Sequence, residues 1–253
     1  MQHIINFFKK YWITFVIVIV LYLAYLFATT NGVLDNVLFP PPDKIWNAFL
    51  KAKNDMPLNF ASSMGLLIPS LALGTIIALA IGVLMGIKKR FRETIYPIIY
   101  AISVIPAILL SPFALHLAPS FTAASVFLIV YNTIWATLFA TVTGIMTIDK
   151  RFLDNAKTLC LPKRKMLTKV MLPAAMPSIM SGFVTSLRSS FLILVFAEMY
   201  SAQYGMGYFV KRNADFGLYD NTWAGFLFMI VVLIVVMQIF EYIKNRMLKW
   251  TIN

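Results

Sequence analysis

Residues 60–87 read FASSMGLLIPSLALGTIIALAIGVLMGI, a run of 28 residues that contains no Lys, Arg, Asp or Glu. A helix that crosses the hydrocarbon core of a bilayer needs about 20 mostly apolar residues, so this run is long enough to span a membrane. It also carries Gly74, Ala78, Gly82 and Gly86, each four residues from the next. Such a stripe of small residues predicts that another helix packs closely against this one.

Five further apolar segments accompany this run, at 11–28, 95–117, 121–148, 170–200 and 223–242. Apolar residues make up 60% of the 253-residue chain and charged residues 13%, whereas roughly a quarter of a soluble domain is charged. The first segment is longer than the apolar region of a signal peptide and no cleavage site follows it, so we expect a retained membrane helix. The sequence predicts an all-α, polytopic membrane protein, a single domain over 1–253 with six transmembrane helices.

The charged residues indicate how these helices are oriented. The chain has 22 Lys and Arg against 10 Asp and Glu, a net charge of +12. With a cytoplasmic N-terminus, six spans place both termini in the cytoplasm, and sixteen of the 22 basic residues then lie on the cytoplasmic side. This distribution follows the positive-inside rule and explains the net charge without nucleic acid. We expect the apolar segments of this chain to be surrounded by membrane lipid.

Few residues could support metal binding, disulfide bonds or catalysis. Cys160 is the single cysteine and cannot form an internal disulfide, and two histidines are too few for most metal sites. The His, Asp, Glu and Cys residues show no spacing typical of an enzyme active site, and no phosphate loop for nucleotide binding is found. The sequence therefore predicts no catalytic, metal or cofactor site in this chain.

Residues 40–53 form a less apolar segment between the first two spans. Three prolines open it, and Asp43 stands where a helix N-cap belongs. Ile45, Trp46 and Phe49 then share one face at helical spacing. A short amphipathic helix at the outer surface is predicted, either as an interfacial anchor or as a docking surface for an external partner.

Prolines interrupt two of the predicted spans. The third span contains Pro97, Pro106 and Pro112, and the fifth opens with Pro173 and Pro177. A proline leaves a helix carbonyl without its donor, which is tolerated where protein or a water-filled cavity supplies a partner. Broken helices of this kind line the pathways of membrane transporters. Pro106 and Pro112 are therefore candidates for a translocation path, with a packing kink as the alternative.

The fifth span also carries two charged residues, Arg188 near its middle and Glu198 near its outer end. A charge in hydrocarbon costs at least about 2.5–3.5 kcal/mol, so both are functional candidates on the same path. Ten residues of regular helix separate them by ~15 Å, too far for a direct pair. Arg188 is expected to contact either a transported solute or a structural partner, namely an acidic residue or backbone carbonyls. For Glu198 a structural or gating role near the outer mouth is favoured over ligand binding.

Segment 150–169 is a basic loop between the fourth and fifth spans, and it includes DNAKTLCLP at 154–162. Its apolar residues Ala156, Leu159 and Leu161 cannot all face water. A loop that is basic at its rim and apolar in patches suits docking to another protein, and anionic lipid headgroups are the alternative partner.

This loop resembles that of the permease subunits of bacterial ATP-binding-cassette (ABC) importers. In that family the loop reads Glu-Ala-Ala, three residues, Gly, and then a spacer that ends in Leu-Pro. The corresponding residues here are Asp154, Asn155, Ala156 and Cys160, followed by Leu172-Pro173. Cys in place of Gly suggests a less tight turn than in the family.

The resemblance extends to a branch of the family that serves nitrate, sulfonate, taurine, bicarbonate and thiamine-precursor uptake. The segments that carry it are 39–44, 105–112, 173–177, 197–199 and 205–208. That branch usually has an Arg at the positions of Leu66 and Val184, whereas this chain has Arg188, one helical turn beyond Val184. Anion handling could persist in altered form, or the substrate could differ, and both are left open.

The resemblance implies a type I ABC importer in the bacterial inner membrane. It implies a second permease subunit, expected as a homodimer with a heterodimer as the alternative, and a periplasmic or lipoprotein solute-binding protein. It also implies separate ATPase subunits that bind ATP and Mg and receive loop 150–169 in a groove. The residues implied in ATPase coupling are Asp154, Asn155, Ala156, Leu159, Cys160, Leu161, Pro162, Leu172 and Pro173. An ion-coupled secondary transporter and a membrane-embedded enzyme are the competing interpretations.

Overall fold

The computed structural model describes residues 2–249, and side chains within 12–200 and 202–249. Residues 1 and 250–253 of the predicted domain, and the Tyr11 side chain at the start of the first span, lie outside the described residues. Over 2–249 the regular secondary structure is entirely helical. The α-helices are α1 (Gln2–Thr30), α2 (Pro42–Ala52), α3 (Met56–Ile87), α4 (Lys89–Ser103), α5 (Ser111–Leu117), α6 (Phe121–Met146), α7 (Lys150–Thr158), α8 (Lys163–Met166), α9 (Leu172–Ser201), α10 (Met206–Asp215) and α11 (Tyr219–Met247).

Five helical segments among the described residues are long and apolar enough to cross a membrane. They are Trp12–Thr30, Met56–Ile87, Phe121–Met146, Lys163–Tyr200 and Tyr219–Met247. The pair α4 and α5, joined by a 3₁₀ turn at Ala107–Leu110, is bent by 76° and makes a sixth span if it crosses as one broken helix. The predicted all-α polytopic fold is confirmed, and the predicted third span corresponds to this bent pair.

The break between α4 and α5 occurs at Pro106, whereas Pro97 lies inside α4 without breaking it. Because Pro106 has no N–H, the carbonyl of Ile102, four residues earlier, loses its helical donor. The Tyr131 hydroxyl of α6 donates to this carbonyl at 2.7 Å and lies 3.1 Å from the carbonyl oxygen of Ile105. The carbonyl of Ile102 also accepts a hydrogen bond from the N–H of Ile105 at 3.1 Å, so a backbone group and a side chain of a neighbouring span together satisfy it.

The other prolines that were expected to interrupt spans have smaller effects on their helices. Pro112 lies in the first turn of α5, and the Ser111 hydroxyl donates to the carbonyl of Ile108, four residues before that proline, at 2.7 Å. Pro173 and Pro177 lie in α9, which continues to Ser201 after a π turn at 167–171. Pro173 lies in the first turn of α9, where a proline is tolerated, and Pro177 lies inside the helix without ending it.

Helices α3, α6 and α9 pack side by side at the centre of the bundle. A Cβ added to Gly82 of α3 would lie 2.8 Å from the Cβ of Thr141 on α6, and one added to Gly74 would lie 2.7 Å from the Cβ of Thr133. Only glycine allows this separation of the two backbones. The small-residue stripe at 74–86 is therefore the surface that packs against α6, as predicted.

Buried hydroxyl groups join α6 to α9. The hydroxyls of Thr133 and Ser190 lie 2.7 Å apart, and those of Thr137 and Ser186 lie 2.9 Å apart. All four side chains are fully buried. Hydrogen bonds between membrane helices contribute roughly 0.6–2 kcal/mol each, so these contacts hold α9 in one register on α6.

The short helices lie at the two ends of the bundle. We call the end that carries α2 and α10 the α10 end, and the opposite end the α7 end. Ile45 and Ala48 of α2 pack against Ala224 of α11. The predicted amphipathic helix is therefore present as α2, but it begins at Pro42, so Asp43 lies in its first turn and not at its N-cap.

Candidate coupling surface and transport path

Helix α7 begins at a capping residue, Asp149. The Asp149 carboxylate accepts a hydrogen bond from the backbone N–H of Arg151 at 2.9 Å, and the Arg151 guanidinium donates to the same carboxylate at 2.6 Å. Hydrogen bonds from the side chain and backbone of Arg151 lower the pKa of Asp149 below its usual value. Asp149 is therefore charged at neutral pH and stabilises the positive end of the α7 dipole.

Helix α7 ends in a tight left-handed turn at Cys160. The N–H of Cys160 donates to the carbonyl of Lys157 at 2.8 Å, and the N–H of Leu161 donates to the carbonyl of Ala156 at 3.1 Å. These are the two hydrogen bonds of a Schellman motif, in which the residue at the Cys160 position is usually Gly. Among the described residues, Cys160 is the one residue other than glycine with positive φ, at +48°.

The expectation that Cys160 loosens this turn is therefore wrong. The two backbone hydrogen bonds impose the left-handed conformation, and the cysteine adopts it at a cost of about 1–2 kcal/mol. The turn has the geometry that a glycine would favour, and the thiol group is exposed.

Helix α7 presents both apolar and charged side chains to solvent. Ala156 is buried, whereas the apolar side chains of Phe152 and Leu159 are 56% and 72% exposed. Asp154 forms an ion pair with Lys157 at 2.9 Å on the exposed surface. Exposed apolar side chains beside charged ones are typical of a surface that binds another protein.

A cavity of about 540 Å³ lies between α7 and the adjoining ends of α6 and α9. The predicted coupling residues that line it are Asn155, Ala156, Leu159, Leu161 and Pro173. Of the others, Asp154, Cys160 and Pro162 are exposed outside its lining, and Leu172 packs against a buried cluster that includes Ile145. Of the predicted segment 150–169, the part from Lys163 onward is helical and leads into α9.

Arg188 lies on an exposed polar stripe of α9. Ser181, Thr185 and Arg188 follow one another at helical spacing, and all three are exposed in the single chain. Arg188 forms no ion pair with any residue in the described part of the chain. An arginine that faces hydrocarbon costs at least about 2.5–3.5 kcal/mol, so this stripe requires water or another protein chain beside it.

Glu198 is fully buried at the α10 end, where it caps α10. The N–H of Gly207, in the first turn of α10, donates to Glu198 Oε2 at 2.8 Å. Gly205 has φ of +132°, and a Cβ added there would lie 2.5 Å from the Glu198 Cδ atom. The glycine at 205 is therefore required both by the backbone conformation and by the close approach of the carboxylate.

Two side chains of α3 bind the adjoining backbone of α10. The N–H of Gly205 donates to Asn59 Oδ1 at 2.9 Å, and the N–H of Met206 donates to Ser63 Oγ at 2.9 Å. Asn59 and Ser63 are both buried. We call Asn59, Ser63 and Glu198 the α10 clamp, because together they hold the start of α10 against α3 and α9.

Of the four predicted path residues, Pro106, Pro112 and Arg188 are exposed in the single chain, whereas Glu198 is buried in the α10 clamp. Sequence reasoning missed Asn59 and Ser63, although two polar residues four apart at the start of an apolar span are a usable signal. It also missed Tyr131, whose partner at the helix break is 29 residues away in the sequence.

The fold is that of ABC importer permeases. A chain of the inward-facing MetNI methionine ABC transporter matches this structure with a TM-score of 0.61 at 15% identity, over 76% of this chain and 93% of that one. A chain of an amino acid ABC transporter with histidines matches with a TM-score of 0.57 at 17% identity, over 78% of this chain and 94% of that one. The structural class is thus a type I importer permease.

The chain belongs to the family of binding-protein-dependent transport system inner membrane components, whose model matches residues 70–249. It is 26% identical over 178 residues to the putative aliphatic sulfonates transport permease protein SsuC of Bacillus subtilis, covering 70% of this chain and 64% of SsuC. It is 24% identical over 174 residues to the nitrate import permease protein NrtB of Leptolyngbya laminosa, covering 69% of this chain and 62% of NrtB.

A third relative, the bicarbonate transport system permease protein CmpB of Synechococcus elongatus, is 29% identical over 140 residues, or 55% of this chain and 50% of CmpB. The matches thus span between half and two thirds of the length of these relatives. All three are transport permeases, and the resemblance to the nitrate and sulfonate branch is confirmed. The chain is a multi-pass component of the inner membrane.

Proposed function

We propose that this chain is the permease subunit of an ATP-driven importer and that its α7 end binds a separate ATPase in the cytoplasm. In this orientation both termini are cytoplasmic. The observation that carries the proposal is the α7 surface, where exposed Phe152 and Leu159 adjoin an open cavity of about 540 Å³. ATP and Mg bind to the ATPase, and this chain supplies the surface that responds to its closure.

The connection between α7 and α9 provides a route for this coupling. Ala156 and Leu161 of the α7 turn line the same cavity as Pro173 of α9. The helical run from Lys163 continues through α9 to Tyr200 and includes Glu198 of the α10 clamp. A displacement of α7 by the ATPase would therefore act on a helix that reaches the opposite end of the bundle, as alternating access requires.

The exposed stripe of α9 supports a second permease copy and a path for the solute. Ser181, Thr185 and Arg188 are polar, lie within a membrane span, and are exposed in the single chain. A second copy of the chain beside this stripe would remove it from lipid and enclose water between the two subunits. Arg188 has no ion-pair partner among the described residues, which favours an anion as the solute, and an external binding protein would deliver it to the α10 end.

The proposal is tested by co-purification of the tagged full-length chain from its native membrane. Leu159→Asp places a charge on the α7 surface without touching the core, since Leu159 is 72% exposed. We expect this variant to insert normally and to lose the co-eluting ATPase. Val33→Asp is the matched control, because Val33 is 71% exposed in the turn after α1, at the α10 end.

Retention of the ATPase by Leu159→Asp at the level of the control would contradict the assignment of α7 as the coupling surface. A chain that elutes without any ATPase in mild detergent would contradict the importer proposal as a whole and would favour ion-driven transport.

A further inference from the structure

A second cavity, separate from the α7 surface, lies at the α10 end. It has a volume of about 430 Å³ and is formed by the end of α2, the start of α3, α10 and the turn that leads into α11. Its polar wall includes Lys51, Asn59, Arg212, Asn213 and Asn221. Neither the α7 surface nor the stripe with Arg188 contributes a residue to this wall.

The cavity contains two cations without acidic partners. Lys51 and Arg212 form no ion pair with any residue between 12 and 249 whose side chain the structure describes. The nearby Asp215 pairs with Lys211. Asp55 is the one acidic residue in the lining, so the cavity has a net charge of +1. A cation in a concave site is a favourable partner for a negatively charged ligand.

Neighbouring groups orient three of the polar side chains of this cavity, Arg212, Asn213 and Asn221. The guanidinium carbon of Arg212 lies 5.8 Å from the centre of the Tyr208 ring, which orients the planar group. Asn221 Nδ2 donates to Asn213 Oδ1 at 3.1 Å, and Asn213 Nδ2 donates to the carbonyl of Phe209 at 2.7 Å. Each amide nitrogen has a second N–H, which could donate a hydrogen bond to a ligand oxygen.

We propose that this cavity binds a small oxyanion, with a carboxylate, sulfonate or nitrate group held between Lys51 and Arg212. Two exposed cations and several amide side chains line one cavity of a few hundred Å³, which fits the size and chemistry of such an anion. The inference rests on the proposed function for one point, that the α10 end faces outward. The cavity would then hold a solute anion at the outer face, before it reaches the path beside Arg188.

Calorimetric titration of the full-length chain in nanodiscs tests this site. The probes are sodium nitrate and sodium methanesulfonate, titrated against sodium chloride at constant ionic strength. All proteins carry Arg188→Gln, which removes the cation of the path. We expect saturable binding that Lys51→Gln and Arg212→Gln each weaken by roughly tenfold, because each removes a charged hydrogen-bond donor. Lys53→Gln is the matched control, since Lys53 is exposed at the same helix end and lies outside the cavity lining.

Three results would overturn the inference. One is equal binding by Lys51→Gln, Arg212→Gln and Lys53→Gln, which would indicate general charge screening. Another is the absence of saturable binding of either anion. A third is that the anions do not bind while Lys51→Gln and Arg212→Gln weaken capture of the external binding protein, which would assign the cavity to an acidic side chain of that protein. The titration contains no ATPase, so its outcome is independent of the co-purification result.

Discussion

Removal of the Glu198 carboxylate is the sharpest test of the α10 clamp. Glu198→Ala deletes the hydrogen bond that Glu198 Oε2 accepts and leaves the N–H of Gly207 buried without that partner, which costs about 1–3 kcal/mol. Relief of the desolvation of the buried carboxyl group, whose Oε1 has no hydrogen-bond partner, opposes part of this loss. We expect a net loss of about 2 kcal/mol.

Glu198→Gln is expected to lose only about 1 kcal/mol, because the amide oxygen can still accept the hydrogen bond from Gly207. Thermal unfolding of the full-length chain in nanodiscs measures the difference, with Tm lower by roughly 4–8 °C for the Ala variant. Hydrogen exchange at the amide of Gly207 should accelerate in the same order, Ala before Gln. Glu241→Gln is the control, because Glu241 forms an ion pair with Lys244 near the surface, and such pairs contribute about 0–1 kcal/mol. An Ala variant with the Tm and the Gly207 exchange rate of this control would refute the capping role of Glu198.

Four further substitutions test other parts of the structure. Cys160→Gly should stabilise the chain by about 1 kcal/mol in thermal unfolding, because glycine adopts positive φ without strain, whereas Cys160→Ala should not, and equal Tm values would contradict the strained turn. Tyr131→Phe removes the side-chain donor at the helix break and should cost about 0.5–1.5 kcal/mol, and an unchanged Tm would show that the N–H of Ile105 alone satisfies the Ile102 carbonyl. Gly82→Ala should destabilise the α3–α6 contact by about 1–3 kcal/mol, whereas Gly65→Ala, which has open space, should be neutral or slightly stabilising, and the reverse order would refute the packing argument. Arg188→Gln should reduce uptake of labelled anions by whole cells without loss of the co-purified partners, and Arg188→Lys should retain part of the uptake. Uptake at the wild-type rate by both variants would remove Arg188 from the path.

The spans and the close contact between α3 and α6 could be predicted from the sequence because both depend on local composition. An uncharged run such as 60–87 must avoid water whatever surrounds it, and glycines four residues apart mark one helix face in any fold. Pro106 marked the helix break for the same reason, since its missing N–H is a property of the residue itself. The prolines of α9 show the limit of this reasoning, because Pro177 lies inside that helix without ending it.

The roles of Cys160 and Glu198 depended on the tertiary structure. Cys160 departs from the Gly that the related loops carry, and only the two hydrogen bonds that close α7 show that it keeps the left-handed turn. Glu198 stood in the sequence as a charge without a partner. Its partner is the backbone N–H of Gly207 at the start of the next helix. The spacing of side chains along the sequence does not indicate such a partner, because every residue other than proline carries a backbone N–H.

By itself, the sequence determined that the chain enters a membrane and where its long apolar segments lie, because both follow from residues that are close together in the chain. The tertiary structure alone decided what holds α10 in place. Asn59 Oδ1 and the N–H of Gly205 are 146 residues apart in the sequence and 2.9 Å apart in the fold. Polar groups at this separation meet only after α3 and α9 have packed, since each must find a hydrogen-bond partner once the packed helices exclude water.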